Sequence, residues 1–347
     1  MNRKAYAKIN LALDITGRTE NGYHTVDMIM QTISLHDDLE ISLNDTGRIN
    51  LAVACDEAVS GELTEQGTDV DNLAYRAAEV FFKELEKQEY RRQSVGAGVV
   101  GAGAGVAGAG ADIRLYKRIP SGAGLGGGSS DAAEVLKGLN ELTGSLLTEE
   151  ELKDIAAKLG SDVPFFISGG TARCTGTGTD IEKLRPIGDM FYVVIAKPFT
   201  GNPTPLIYRE YDNAAAGSMA KDFERPDIDA ISSAVNSISS NKADRTAYKT
   251  AAFAGADSSK TSVLTEILLR NNINVLEKAD ERISYSITKE IKVELLKLGA
   301  ITSCMSGSGS AVYGLFTDRE KMEAAARALR ESDLKDRLKA VIETVTC

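Results

Sequence analysis

Ile119-Pro120-Ser121-Gly122-Ala123-Gly124-Leu125-Gly126-Gly127-Gly128-Ser129-Ser130-Asp131-Ala132-Ala133 is the stretch whose reading decides the fold. Just before it, Asp112-Ile113-Arg114-Leu115-Tyr116-Lys117 alternates like a β-strand. Just after it, Ala132 to Asn140 carries apolar residues at helical spacing. A strand therefore runs through a glycine-rich loop into the start of a helix. The glycines let backbone N–H groups turn inward with no Cβ in the way. The first turn of a helix adds orphan N–H donors and a partial positive charge. Together these make an anion site, most often for phosphate. Ser129 and Ser130 add hydroxyls for a phosphate oxygen or a metal.

Other glycine loops fit less well. A Walker A loop needs Lys-Ser/Thr after its glycines, and none follows here. Gly122, Gly124 and Gly127 satisfy G-x-G-x-x-G, but a dinucleotide fold needs a second parallel strand soon after the helix. The sequence instead predicts a second helix over Thr148–Leu159, opened by a capping box of Thr148 and Glu151 and capped at Gly160. A plain turn before a helix is the remaining alternative, and a serine pair at the helix start is surplus to it.

The chain has 347 residues, enough for one to three domains. Hydrophobic content of 43% and charged content of 26% belong to the soluble globular class. A net charge of -10 argues against a nucleic-acid partner, which would need a basic face. Cys55, Cys174, Cys304 and Cys347 are scattered without C-x-x-C pairing, and there are only 2 histidines, so a structural zinc site is not expected. The cysteine usage, the lack of an apolar run of spanning length and the lack of a signal-peptide core lead to the expectation of a cytoplasmic protein with no membrane partner.

In chain order, Lys4–Ile15 reads as a strand with Ile9, Leu11, Leu13 and Ile15 on one face and Lys8 and Asn10 on the other. Three antiparallel strands follow, Tyr23–Val26, Met28–Leu35 and Asp37–Leu43, then an amphipathic helix over Asp71–Leu85. Gly96–Ala111 is almost wholly Gly, Ala and Val, a low-complexity loop. Asp162 falls before Val163-Pro164-Phe165-Phe166-Ile167, which reads as a strand, with Pro164 holding Val163 extended. Read alone, an aspartate there is more often a turn or capping residue. Met190–Ala196 reads as a buried strand opening a second domain, Asn213–Ser262 as a variable helical excursion, and Ile287–Gly299 and Asp318–Arg330 as helices. The domains expected are residues 1–188 and 189–347.

Residues 119–133 resemble the second motif of the GHMP kinases, the superfamily of galactokinase, homoserine kinase and mevalonate kinase. Met305-Ser306-Gly307-Ser308-Gly309-Ser310-Ala311 resembles its third motif. Ala7-Lys8-Ile9-Asn10-Leu11, Asp14, Gly17-Arg18 and Gly22-Tyr23-His24-Thr25 look like the opening of one branch, whose substrate joins a methylerythritol to cytidine diphosphate. Ser161-Asp162-Val163-Pro164-Phe165-Phe166, Pro203-Thr204-Pro205-Leu206-Ile207-Tyr208 and Asn272–Glu277 fit the same branch.

The resemblance implies an α+β, two-domain GHMP kinase fold, with an N-terminal domain like the second domain of ribosomal protein S5 and a ferredoxin-like C-terminal domain. It implies phosphorylation of the substrate's 2-hydroxyl, using ATP and Mg²⁺, in the non-mevalonate route to isopentenyl diphosphate. Pro120–Ser130 would bind ATP. Lys8 and Asp162 would be catalytic, Asp162 abstracting the hydroxyl proton or both residues only positioning and polarising it. Tyr23 would stack on the cytosine, His24 would hydrogen-bond to it, and Tyr208 would stack on its other face. Asn10 and Thr204 would bind polar groups of the substrate, and Asp131 would do the same or merely cap the helix. Ser129 or Ser130 would help hold Mg²⁺. The protein would be a monomer or weak homodimer. Two rivals stay open: another small-molecule kinase of the homoserine or mevalonate type, and a non-catalytic nucleotide-binding relative.

Overall fold

Segments rich in apolar and β-branched residues carry the first part of the chain through two long strands, β1 (Asn2–Arg18) and β2 (His24–Asn44). The computed structural model describes residues 1–55, 71–94, 108–188, 190–215, 224–238, 259–283 and 287–347. After β2 come β3 (Ile49–Cys55), α1 (Leu73–Ser94), β4 (Gly110–Lys117), α2 (Gly127–Leu142), α3 (Glu149–Ala157) and α4 (Val163–Ser168). They are followed by β5 (Thr171–Thr175), β6 (Asp180–Lys183), β7 (Tyr192–Pro198), α5 (Thr204–Ala215), α6 (Ile228–Ser237), α7 (Ser259–Asn271) and α8 (Glu277–Ile283). The chain closes with α9 (Ile287–Lys297), β8 (Thr302–Met305), β9 (Val312–Phe316), α10 (Arg319–Glu331) and β10 (Leu338–Val345).

Several elements depart from the sequence reading. The three strands expected over residues 23–43 are one, because no glycine or proline interrupts them. Lys8 and Asn10 do not face solvent: β1 is buried on both faces from Ala7 to Leu13. Val163–Ser168 is a helical turn and not a strand. Proline is tolerated in a helix's first turn, where its missing N–H would have no acceptor, and Pro164 sits there. The preceding helix stops at Ala157 with Lys158 as its cap, so Gly160 does not close it. Its opening agrees: the Thr148 hydroxyl accepts from the Glu151 N–H, and the Glu151 carboxylate accepts from the Thr148 N–H. Of the low-complexity loop, residues 96–107 lie outside the described residues, and Gly110 and Ala111 begin β4. Of the 213–262 excursion, the described parts include the end of α5, all of α6 and the start of α7.

Contacts divide the chain into two units. One comprises Met1–Ala7, His36–Ile119 and Gly126–Ser168, the other Lys8–Leu35, Pro120–Leu125 and Gly169–Cys347. The long strands β1 and β2 contribute to both, and the glycine loop divides between Leu125 and Gly126. In the first unit β3 and β4 pair in parallel, Ile49 opposite Ala111, as a β-α-β crossover through α1 requires. β4 pairs antiparallel with the C-terminal half of β2, Asp38 opposite Tyr116. α1 packs on α2, and the buried faces include Ala74, Ala77 and Phe81 of the one and Ala132, Val135 and Leu139 of the other.

In the second unit the N-terminal half of β2 pairs with β5, and β5 with β6. A separate antiparallel sheet has the order β10-β7-β9-β8. With α5–α8 inserted after β7, the elements β7, α9, β8, β9, α10, β10 follow the ferredoxin-like pattern, as expected. Its core joins Val194, Val312 and Phe316 to Ile291 and Leu295 of α9 and Met322, Ala326 and Leu329 of α10. Leu295→Ala, at a fully buried position, should cost about 2–4 kcal/mol of unfolding free energy in a urea titration; an unchanged midpoint would contradict this packing.

Candidate active site

In the second unit β1 delivers Lys8 into the interior, 3% exposed. Its ammonium donates to Asn10 Oδ1 at 2.6 Å, and Asn10 Nδ2 lies 3.3 Å from Met28 Sδ. Asn10, expected to meet substrate, is fully buried and holds Lys8. The Lys8 backbone N–H donates to the Leu125 carbonyl at 2.9 Å, which fixes β1 to the first half of the glycine loop. Gly122 and Gly124 have φ of 59° and 73°, and at Gly124 only glycine fits: a Cβ would lie 1.9 Å from the Ser306 carbonyl oxygen. The two glycine-serine loops therefore press backbone on backbone. Ser306 Oγ donates to the Gly124 carbonyl at 2.9 Å, and the Ser310 and Ala311 N–H groups donate to the Gly122 and Ala123 carbonyls, each at 3.2 Å. Asn274 Nδ2 donates to the Met305 and Gly307 carbonyls, and a Cβ on Gly307 would stand 3.2 Å from Lys8 Nζ.

The same unit carries the residues expected at the cytosine. Tyr23 is 71% exposed, with its ring open to solvent. The His24 ring packs against Tyr208 at 4.7 Å between centroids and meets Tyr211 edge-on at 6.3 Å. His24 Nε2 hydrogen-bonds to Asp212 Oδ1 at 2.8 Å, and Asp212 also pairs with Arg18. Burial raises the Asp212 carboxyl, but the bonds from Arg18 and His24 outweigh it and hold the group below its ordinary value. Asp212 escaped the sequence reading, although it lies four residues after Tyr208 on α5 and so shares its face. Thr204 opens α5, exposed, with Oγ1 2.8 Å from Ser308 Oγ in the third-motif loop.

The first unit carries the other residues. Gly126, at φ 73°, caps α2, so Gly127, Gly128, Ser129 and Ser130 form its first turn and not an open loop. The N–H groups of Gly127, Gly128 and Ser129 have no intrahelical acceptor by construction, and they carry the positive end of the helix. Ser129 is half-buried, while Ser130 is 1% exposed. Asp162 immediately precedes α4 and is half-buried.

Asp131 does not cap the helix. It is 2% exposed, and its Oδ2 accepts from Lys117 Nζ at 2.6 Å. Lys117 also pairs with Asp37, whose other oxygen accepts the Arg118 and Ile119 backbone N–H groups. Asp131 Oδ1 is buried with no hydrogen-bond partner. Burial pushes the Asp131 carboxyl up to about 7; the Lys117 charge opposes this and Asp37 adds to it. Burial pulls the Lys117 ammonium down, but the two carboxylates more than offset it and hold it above its ordinary value. Asp37 and Lys117 were missed because nothing local marks them: their pairing spans 80 residues. Among the described residues no group of three or more His, Cys, Asp or Glu side chains could hold a metal ion, and no helix is long and apolar enough to cross a membrane.

Residues 72–170 match the family described as the GHMP kinases N terminal domain, and residues 260–333 match GHMP kinases C terminal. The chain is 36% identical over 346 residues to the 4-diphosphocytidyl-2-C-methyl-D-erythritol kinase of Clostridium beijerinckii, covering 100% of both chains. It is 35% identical to the enzyme of the same name from Heliobacterium modesticaldum, covering 95% of this chain and 91% of the relative. A crystal structure of 4-(cytidine 5'-diphospho)-2C-methyl-D-erythritol kinase superposes with a TM-score of 0.65 at 30% identity, covering 100% of this chain and 99% of that one. The mevalonate kinase of Methanococcus jannaschii shares the fold alone, with a TM-score of 0.64 at 14% identity over 100% of this chain and 98% of that one.

The Asp131 carboxyl has a folded-state value near 7 against an ordinary 3.8. Between those values the folded state holds a proton that the unfolded state has lost, so stability falls as pH rises through that window. Asp131→Asn imitates the protonated acid and removes the dependence. From about pH 5 to about pH 8 its melting temperature should fall less than that of the unaltered protein, by about 3 °C or more. Parallel slopes in thermal unfolding would contradict the burial of a titrating Asp131.

Proposed function

We propose that this chain, which belongs to the GHMP kinases and within them to the 4-diphosphocytidyl-2-C-methyl-D-erythritol kinase family, transfers the γ-phosphoryl group of ATP to the 2-hydroxyl of 4-diphosphocytidyl-2-C-methyl-D-erythritol. The observation that carries this reading is the cradle formed by Gly122–Gly124 against Ser306–Ser310, with the Lys8 ammonium beside Gly307. Glycine at position 124 lets the two loops press backbone on backbone, which fixes the shape of the cradle. In the first unit, the first turn of α2 carries N–H donors of the right polarity for phosphate.

Phosphoryl transfer needs a held triphosphate, charge neutralisation and an aligned hydroxyl. The substrate's 2-hydroxyl oxygen bonds to the γ-phosphorus as the bond to the β–γ bridging oxygen breaks, and ADP leaves. Asp162 accepts the hydroxyl proton or holds that hydroxyl by a hydrogen bond. Lys8 offers its positive charge to the moving phosphoryl group, and Asn10 fixes where that charge stands. Mg²⁺, when bound, neutralises triphosphate charge. With no carboxylate cluster among the described residues, the triphosphate oxygens and a serine hydroxyl would supply its ligands. Of the two candidate hydroxyls, Ser129 is the accessible one.

Tyr23 presents an exposed ring on which the cytosine stacks. Tyr208 packs a face on His24 and so supports that ring, next to its role as a second platform. Thr204, exposed beside Ser308, binds a polar group of the substrate. The acceptor is a free small molecule, which fits a surface lacking basic excess.

Coupled measurement of ADP release, with ATP and Mg²⁺, should show turnover with the cytidyl-methylerythritol substrate and none with homoserine or mevalonate. Activity on one of the latter instead would discard the cytidine pocket and keep the kinase. Asp162→Ala should lower kcat by on the order of 10³-fold while ATP binding stays within about threefold. Near-normal turnover by that variant would remove Asp162 from the chemistry.

A further inference from the structure

We propose that Asp37 is a positioning residue for the ATP site, holding the chain where β4 leaves its sheet for the glycine loop and holding Lys117 against the first turn of α2. The proposal rests on the kinase reading above. Asp37 is fully buried, in the middle of β2, and touches no part of the glycine run itself in sequence. One carboxylate oxygen accepts two consecutive backbone N–H groups, those of Arg118 and Ile119, the latter at 2.8 Å. Ile119 is the last residue before Pro120, so the grip falls on the final two residues ahead of the loop. The other oxygen pairs with Lys117 Nζ, which reaches on to Asp131 Oδ2 on α2 at 2.6 Å.

The glycines are shaped around this grip. A Cβ on Gly127 would stand 3.0 Å from Ile119 Cγ2 and 3.3 Å from Lys117 Nζ. A side chain at position 127 would therefore crowd Ile119 and Lys117, which are held close to the helix start. A neutral acceptor would satisfy the two N–H groups equally well. A carboxylate is needed to keep a buried ammonium there, since an unpaired buried charge is costly. Three features converge on one function: two backbone amides pinned, one cation fixed, and a first helical turn whose N–H groups have no side-chain cap. No hydrogen-bonded turn or cap requires this arrangement, and the helix start has no side-chain cap.

Asp37→Asn keeps the shape and the acceptor for the amides and removes the charge that holds Lys117. ATP binding and kinetics should be measured first on the unaltered protein; no ATP binding there overturns the kinase reading itself. With ATP binding established, Asp37→Asn should raise KM for ATP by about tenfold, while kcat falls less than about threefold and KM for the alcohol substrate stays within about twofold. A merely structural Asp37 would lower the melting temperature of the variant and leave KM for ATP unmoved, which overturns the positioning role. If Asp37→Asn does not fold, hydrogen exchange on the unaltered protein decides. ATP should slow exchange of the Arg118 and Ile119 amides by about tenfold or more, and an ATP-independent rate there overturns the proposal.

Discussion

The contact on which the second unit depends is the meeting of Gly124 with the Ser306 carbonyl. No other residue type fits, because a Cβ would fall 1.9 Å from that oxygen. The two segments lie 182 residues apart in sequence, so the loop-closure cost of joining them is set by the whole fold and not by local propensity. Once they meet, the rest follows by backbone bonds. Ser310 and Ala311 donate to the loop from one side, and Lys8 donates to Leu125 from the other. The β8–β9 turn of the ferredoxin-like sheet and the first strand of the chain become parts of one wall. The Lys8 ammonium arrives beside Gly307 for the same reason.

Buried polar groups give that wall its specificity. Asn10 accepts from Lys8 with its side chain, and its carbonyl accepts from the Tyr313 hydroxyl at 2.7 Å. Asn272 donates to the Leu11 carbonyl and to the Tyr313 oxygen. Burial pushes the Tyr313 hydroxyl well above its ordinary value, opposed by the Asn272 bond, so it keeps its proton to donate at working pH. Each of these groups is costly to bury alone and inexpensive in company. The network accordingly ties β1 to β9 in one register, since a shift by one residue would unpair every member.

Much of this was legible without coordinates. The loop, the helix behind it, the capping box at Thr148 and the helix capped by Asp318 are local patterns, and local patterns survive folding. The errors fall where context overrules propensity. The single strand His24–Asn44 reads as three in sequence, with gaps at Asp27 and His36, and it also carries Asp37 and Asp38. The three aspartates are tolerated because Arg173, Lys117 and Arg118 pair with them. The strands β3 and β10 were missed: β3 is largely exposed along its length, and β10 shows only weak alternation. Phe165 and Phe166 suggested a strand, yet the segment is one helical turn whose buried face includes both rings.

The site divides along the same line. The sequence alone determined the glycine-serine loop leading into a helix, the α+β class and the identity of Lys8, Tyr23, His24 and Asp162 as candidates, because glycine spacing and short motifs are written in consecutive residues. Only the tertiary structure decided that Asn10 accepts from Lys8, that Tyr208 and Asp212 contact His24, and that Asp131 is buried and shares Lys117 with Asp37. Those assignments depend on which side chains share a buried space. Sequence distance does not encode that sharing, because burial is a property of the packed chain and the partners stand up to 188 residues apart.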